Sequence, residues 1–367
     1  MVEFVGTSGN DRFAGTSKAD TYYVGAGDNY IFSGAGDDKI FVGNGDNFIN
    51  AGEGDDLIVA TGNGNNQLSA GDGNDVIIGG SGHDIISGGN GDDVLSGGAG
   101  QDVFQYKAGF GSDLITDLSF AEGDYINLAA GSVGNAKNIQ IKSMADITAL
   151  TTAGLATATV DSKGTLTLDF QSFGKIALQG LGGSSTPGNI GGTNGADVVV
   201  GSSVDGTHIV ARGGDDVVSD GTGANLIEGN VGDDILYGGV GDDKIGGQAG
   251  DDILVGGRGN DSLGGGAGND TLIGGDGADT FVFSANGGSS FGTDVVTDLT
   301  FGDGDSLSFA IEGTSSKITS LAQLNDFVNS SGAIVTHDTV SVTLTLGSSG
   351  AVRLIGYGES GGSIVTA

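Results

Sequence analysis

The chain has 367 residues, with 76 glycines, one proline and no cysteine, a composition that argues against a helix-rich globular core and excludes disulfides. Its 47 acidic residues against 13 basic ones give a formal charge of −34, which opposes nucleic acid and anionic membrane surfaces as partners and favours cations. No stretch approaches the roughly 20 apolar residues of a membrane span, and the opening MVEFVGTSGNDRFAG lacks the basic and apolar regions of a cleaved signal, so neither membrane insertion nor a Sec leader is expected.

From the first residues to position 106 the chain repeats every nine residues in the form GGxGxDxUx, with U apolar, as in GGNGDDVLS at 88–96. A fixed short period marks a solenoid. The glycines can take positive φ and bring carbonyls close to an ion, and the aspartate adds a hard carboxylate oxygen. The xUx half reads as a very short strand. Aligned on the sixth position, the array runs Asp11, Asp20, Asn29, Asp38, Asn47, Asp56, Asn66, Asp75, Asp84, Asp93, Asp102, with a one-residue insertion near Ala60. Two residues further on, Phe13, Tyr22, Ile31, Ile40, Ile49, Ile58, Leu68, Ile77, Ile86, Leu95 and Phe104 form an apolar row suited to a narrow core between two sheets.

Residues 107–181 break the period and form a cap, opening DLITDLSFAEGDYINL at 113–128 and continuing through a short helix at 145–152 into alternating strands. A linker at 182–191 holds Pro187. A second array fills 192–283, reading Asp197, Thr207, Asp216, Asn225, Asp234, Asp243, Asp252, Asp261, Asp270, Asp279, with Val199, Ile209, Val218, Ile227, Leu236, Ile245, Leu254, Leu263, Leu272 and Phe281 inward. A second cap, 284–367, opens DVVTDLTFGDGDSLSF at 294–309, with a helix at 321–330. The chain is thus a tandem duplication of array plus cap. Solenoids need caps because terminal strands otherwise expose unpaired edges, and the first array starts near residue 4 without one.

These nonapeptides resemble those of RTX proteins, and the caps are similar to the segment that follows the roll in serralysin-type proteases. The resemblance implies an all-β chain of tandem right-handed parallel β-rolls, two nonapeptides per turn, each roll with a β-rich cap containing one short helix. It implies calcium between loops one turn apart, held by Asp side chains and glycine-loop carbonyls, and export by a type I system through an uncleaved C-terminal signal, here ESGGSIVTA at 359–367. The candidate calcium ligands are Asp11, Asp20, Asp38, Asp56, Asp75, Asp84, Asp93 and Asp102, then Asp197, Asp216, Asp234, Asp243, Asp252, Asp261, Asp270 and Asp279. Asp113, Asp117, Asp124, Asp294, Asp298 and Asp305 in the caps admit either a calcium role or turn chemistry.

With two repeats per turn, odd and even loops line opposite edges, so Asn29, Asn47 and Asn66 share the edge of Asp11, Asp84 and Asp102, while Asp20, Asp38, Asp56, Asp75 and Asp93 form an all-Asp edge. Thr207 and Asn225 fall on the equivalent edge of the second roll. An amide in place of a carboxylate removes ligand charge, predicting full calcium files on the all-Asp edges and weak or absent occupancy beside the Asn and Thr positions. Those asparagines read either as a hydrogen-bonded ladder or as a graded calcium sensor. The strands after the all-Asp edge are apolar outward as well, with Tyr23, Phe41, Leu57, Val59, Val76 and Ile78, then Val198, Val200, Val217, Ile235, Tyr237, Ile253, Val255 and Ile273. Such a stripe reads as ordinary strand preference or as an exposed interface.

His83, His208 and His337 are scattered, each expected as a solvated surface residue, and the glycines at 256–277 lack the GK[ST] of a phosphate loop, so no enzyme is expected. The functional expectation is a secreted calcium-binding structural protein of a bacterial surface, biofilm or S-layer-like matrix that folds, and assembles head to tail, on extracellular calcium. The alternative is a calcium-dependent adhesin or lectin that binds surface polysaccharide through Tyr30, Phe32 and Phe48.

Overall fold

The computed structural model describes residues 1–129, 138–160, 165–179, 189–201, 206–285, 290–311, 314–337 and 341–355. The proposed signal at 359–367 and Pro187 lie outside the described residues. The chain divides into two compact units, Met1–Gly183 and Ser184–Ala367.

Each unit is a parallel β-solenoid. In the first, Thr21–Val24, Lys39–Val42, Leu57–Ala60, Val76–Ile78 and Val94–Ser96 stack in one sheet, and Tyr30–Ala35, Phe48–Glu53, Gln67–Asp72, Ile85–Asn90 and Val103–Tyr106 in the facing one. Partners lie 18 residues apart, as in Tyr22↔Ile40, so one turn takes two nonapeptides. The offset becomes 19 at Ile58↔Ile77 and Ile49↔Leu68, and the parallel ladder continues across the insertion near Ala60, with Ala60 itself losing its pair on that side. The second unit carries an offset of 19 of its own, at Asn189↔His208 and Val198↔Val217, before settling to 18. The ten-residue step from Asp197 to Thr207 had already recorded that insertion.

The apolar row fills the core between the sheets. Every member from Tyr22 to Phe104 and from Ile209 to Phe281 is at most 2% exposed, whereas Phe13 is half-buried, packed against Phe4 and Tyr22. The outward stripe is largely covered: Tyr23, Phe41, Leu57, Val59 and Ile78 are buried, as are Tyr237, Ile253, Val255 and Ile273, while Val76, Val200, Val217 and Ile235 are half-buried and Val198 is 43% exposed. Tyr23 and Phe41 stack in register, ring centroids 5.4 Å apart.

The caps end the parallel ladders by reversing direction. In the first cap Tyr125–Leu128 pairs in parallel with Val103–Tyr106 and antiparallel with Ile139–Ile141, and Lys175–Leu178 joins Ser112–Ile115 in parallel and Leu166–Asp169 antiparallel. In the second, Ser306–Ile311 pairs antiparallel with Thr314–Ile318, and Ala351–Ile355 with Ser341–Thr345. Each cap holds one helix, α1 at Met144–Thr152 and α2 at Leu321–Ser331. Helix α2 starts at an N-cap serine: the Ser320 hydroxyl accepts from the Gln323 amide at 3.3 Å, and the Gln323 side chain reaches back to accept from the Thr319 amide at 2.8 Å. It stops at Gly332, left-handed at φ 70°. Leu324 and Val328 turn its apolar side into the core, as Ile147 and Leu150 do for α1.

Candidate calcium-binding loops

Between strands the chain turns through the GGxGxD half of each repeat, whose second and fourth positions take positive φ in most turns, though not at second-position Thr7, Thr16, Gly25, Gly43, Gly62, Thr193 and Gly221. Gly257 and Gly259 stand at 107° and 141°. Arg212, Asn230 and Gln248 hold the second position at 82–89° without being glycine, at a steric cost of about 1–2 kcal/mol for an L-residue.

The sixth-position side chains form two ladders per roll. Each Oδ1 accepts the backbone N–H of its counterpart one turn earlier: Asp38 from Asp20 at 2.7 Å, Asp56 from Asp38 at 2.8 Å, and Asp93 from Asp75 at 3.0 Å. The other edge runs from Asp11 through Asn29, Asn47, Asn66 and Asp84 to Asp102. The assignment of residues to edges from the period is therefore what the hydrogen bonds show. The second roll repeats it, Asp197 to Asp270 on one edge and Thr207 to Asp279 on the other.

The second carboxylate oxygen decides what these loops can hold. Oδ2 of Asp38, Asp56, Asp75, Asp84, Asp93, Asp102, Asp216, Asp234, Asp243, Asp252, Asp261 and Asp270 is buried without a hydrogen-bond partner. Leaving a buried acceptor unpaired costs about 1–3 kcal/mol, more when it is charged. These carboxyls accordingly hold their protons well above the usual range: burial, partly offset by the ladder amide, pushes Asp56, Asp75, Asp84, Asp243 and Asp252 up to about 7, and Asp102 and Asp261 to about 8. In the later turns the first position is glycine, and there the oxygen has company. A methyl group built on Gly247 or Gly256 would collide with Oδ2 of Asp252 or Asp261 and with the carbonyl oxygen of Gly265 or Gly274 in the next turn. That leaves a cradle lined by hard oxygens from two turns, the donor set calcium takes. Among the described residues no three His, Asp or Glu side chains converge on one point. A site here has one carboxylate per loop and draws its remaining ligands from backbone.

Three of the predicted ligands differ. Asp11, Asp20 and Asp197 have Thr at the second position, and the Thr7, Thr16 and Thr193 amides donate to their Oδ2 at 2.7, 2.9 and 2.6 Å. For Asp20, burial is outweighed by the Thr16 hydroxyl and the Val2 and Thr16 amides, so its carboxyl sits below the usual range. These oxygens already have hydrogens pointed at them.

The cap aspartates separate into two kinds. Asp113 and Asp124 extend the two ladders of the first roll, accepting from Asp93 and Asp102, and Asp294 and Asp305 do so in the second. Asp113 also keeps a buried Oδ2 without a partner, and burial followed by the charge of Asp93 pushes its carboxyl up to about 9. Asp117 is different: it accepts from the Gly97 and Gly98 amides at 3.0 and 2.7 Å and from the Ser96 hydroxyl at 2.6 Å. Asp298 does the same for Gly274 and Gly275.

Sequence reading missed a further ladder. Fifth-position side chains, exposed at the loop tips, accept the fifth-position amide of the following turn: Asp28 accepts from Asp46, Asp46 from Asn65, Asn65 from His83, and His83 Nδ1 from Gln101 at 2.9 Å. Its polarity is opposite to that of the inner ladder. The recurrent DD, DN and ND pairs were its signal. His83, exposed as expected, is also a rung of this ladder, and the half-buried His208 has Nε2 3.1 Å from Glu228; the His337 side chain is outside the described set.

Comparison with known families gives the same reading. The sequence model of the RTX calcium-binding nonapeptide repeat matches at 5–40, 23–58, 33–68, 60–95, 69–104, 78–115, 210–245 and 246–281. The chain belongs to the RTX calcium-binding repeat family. RTX nonapeptides bind calcium in multiple copies, and proteins that carry them are typically secreted. No curated protein matches the chain. Among solved structures, the extracellular lipase LipA from Serratia marcescens aligns with 17% identity over 90% of this chain, at a TM-score of 0.25. The RTX chain spans 40% of that lipase's length. No described helix is long and apolar enough to cross a membrane.

Proposed function

We propose that this RTX chain is an extracellular calcium-dependent structural module of a bacterial surface or matrix, with the interior aspartates of its two rolls as ligands, exported by a type I system. One observation carries the reading: the file of buried Oδ2 atoms that have no protein donor and, in the later turns, face carbonyls of the next turn. Successive carboxylates stand about 4.8 Å apart. At an effective dielectric of about 20 that means roughly 3–4 kcal/mol of repulsion per neighbouring pair, more than the roughly 0.5–1.5 kcal/mol a ladder hydrogen bond returns. A divalent ion between them reverses the sign. Extracellular modules bind calcium at about 10⁻⁴ to 10⁻³ M, so folding waits for export. Circular dichroism with and without calcium tests this; a full β signal in excess chelator rules it out.

The chain is read as a module without catalysis, since two of its three histidines hold structural hydrogen bonds; ester and peptide hydrolysis assays on the calcium-loaded protein check that. Self-association belongs to the same reading. Among the described residues Thr157–Val160 ends its sheet with every residue exposed, an edge open to pairing with another chain. Light scattering in millimolar calcium would show it, and a strictly monomeric species counts against it.

A second reading, adhesion to polysaccharide, is favoured by one patch. On the outer face of the first roll Tyr30 and Phe32 are 41% and 51% exposed, Phe48 lies 6.1 and 5.7 Å from their rings, and the Arg12 guanidinium sits 4.7 Å over Tyr30. Glycan-array binding lost on Phe32→Ala with the fold intact would select this reading.

A further inference from the structure

The Asn-bearing edge of the first roll departs from the rest of the solenoid in what fills its loops. Asn29 Nδ2 donates to the carbonyls of Gly25 and Gly27 at 3.3 and 2.8 Å and to Oδ1 of Asn47, one turn on, at 2.9 Å. Asn47 repeats the pattern with Gly43, Gly45 and Asn66 at 3.2, 2.9 and 3.0 Å. Asn66 donates to Gly64 and to Gly79 of the next turn, both at 3.2 Å. A single NH₂ group thus gathers two carbonyls of its own loop and an oxygen from the loop above. These are the oxygen types from which an ion would draw its ligands, and a side-chain nitrogen with two hydrogens offers them a fixed partial positive charge.

A second, independent feature agrees. At the first position, where Asp84, Asp93 and Asp102 have Gly79, Gly88 and Gly97, the loops of Asn29, Asn47 and Asn66 have Val24, Val42 and Thr61. Val24 and Val42 are buried in the roll core. The loops of Asp38, Asp56 and Asp75 have the small Ser33, Ala51 and Ala70 there, so within the first roll a branched side chain stands at the first position only in the loops whose carboxylate has become an amide.

We propose that the edge from Asp11 to Asn66 is a calcium-independent segment, in which the asparagine amide nitrogen replaces the ion, and that it holds the start of the first roll together before calcium arrives. The inference rests on the reading of the aspartate loops as calcium sites. It makes the Asn ladder a built-in template: turns already closed at one edge present the all-Asp edge to calcium and give the later turns a strand to add to. The second roll lacks this arrangement. Its Asn225 donates to Gly223 at 3.0 Å, but also to the carboxylate of Asp220, which stands where the first roll has valine, so charge is moved rather than removed.

Hydrogen exchange read by mass spectrometry on the full chain, in chelator and in calcium, tests the proposal. In chelator, peptides covering Tyr30–Ala35 and Phe48–Glu53 should keep their protection, while Lys244–Ala249 and Ser262–Ala267, which follow aspartate loops on the equivalent edge, should lose it. Loss of protection in both sets overturns the proposal and leaves the calcium reading intact. Full protection in both sets, with no calcium detected by calorimetry, overturns the two together. Asn47→Asp gives a second handle: it should remove the protection of Phe48–Glu53 in chelator and regain it in calcium, a rescue that general damage to the fold would not show. Protection unchanged in chelator for Asn47→Asp also overturns the proposal, and if that variant does not fold, the wild-type comparison decides alone.

Discussion

At the scale of single residues, position one of the repeat is where a methyl group would meet the ladder carboxylate. A Cβ at Gly256 would meet Asp261 Oδ2 and the Gly274 carbonyl, backbone that cannot move without shifting the next turn, whereas a Cβ at Gly246 meets nothing within 4 Å. Gly256→Ala should therefore lower stability in calcium by about 1–3 kcal/mol, the usual range for overpacking, and Gly246→Ala should leave it within about 0.5 kcal/mol, the usual range for surface changes. Thermal melts in saturating calcium compare them, and equal melting temperatures would mean that the cradle at Gly256 is not used. Much at this scale was legible, because a nine-residue period fixes which side chain points where: the inward row, the insertion near Ala60 and the division of Asp from Asn between edges all follow from counting. What counting could not supply is which group meets each carboxylate oxygen. Thr7, Thr16 and Thr193 look like loose copies of the second glycine, yet their amides take over the oxygen that the repeat leaves open elsewhere.

Among the elements, the caps do with side chains what the next turn does with backbone. Within the roll a loop amide such as Gly79 N–H donates to a carbonyl of the following turn, Ser96, at 3.0 Å. At the last turn the corresponding amides of Gly97 and Gly98 have the Asp117 carboxylate instead, and Gly274 and Gly275 have Asp298. The matching aspartate spacings of the two caps were visible in the sequence, but not that the middle aspartate closes the stack while its neighbours prolong the ladders. Asp117→Asn leaves one oxygen to receive donors that now use two. Hydrogen bonds to charged groups contribute about 1.5–3 kcal/mol each, so Asp117→Asn or Asp298→Asn should destabilise its unit by about that amount in calcium and in chelator alike. Denaturant titration in both buffers reads this; a loss seen only in calcium would make these residues ligands rather than stops.

For the molecule as a whole, buried carboxyls and net charge act in one direction on the ion-free chain. Asp56, Asp75, Asp84, Asp243, Asp252 and Asp279 titrate near 7 in the ion-free fold, raised by burial, against about 3.9 for an unfolded aspartate. The fold therefore binds more protons than the unfolded chain between those values, and its stability is greatest below the unfolded pKa and falls as pH rises through 7. Lowering the pH also reduces the repulsion of a chain whose charge is −34 at neutrality. In chelator, β structure should thus be stronger at pH 5.5, still above the isoelectric point near 4.1, than at pH 8. With calcium present the order reverses for binding, because the same carboxyls must release their protons to take the ion, and calcium affinity should drop from pH 8 to pH 5.5. Protons and calcium are in this sense alternative neutralisers of one file of oxygens. Circular dichroism in chelator and calorimetric titration at the two pH values measure the two trends. Ion-free β structure that strengthens toward pH 8 would mean that the Oδ2 file is not what keeps the chain unfolded before calcium binds.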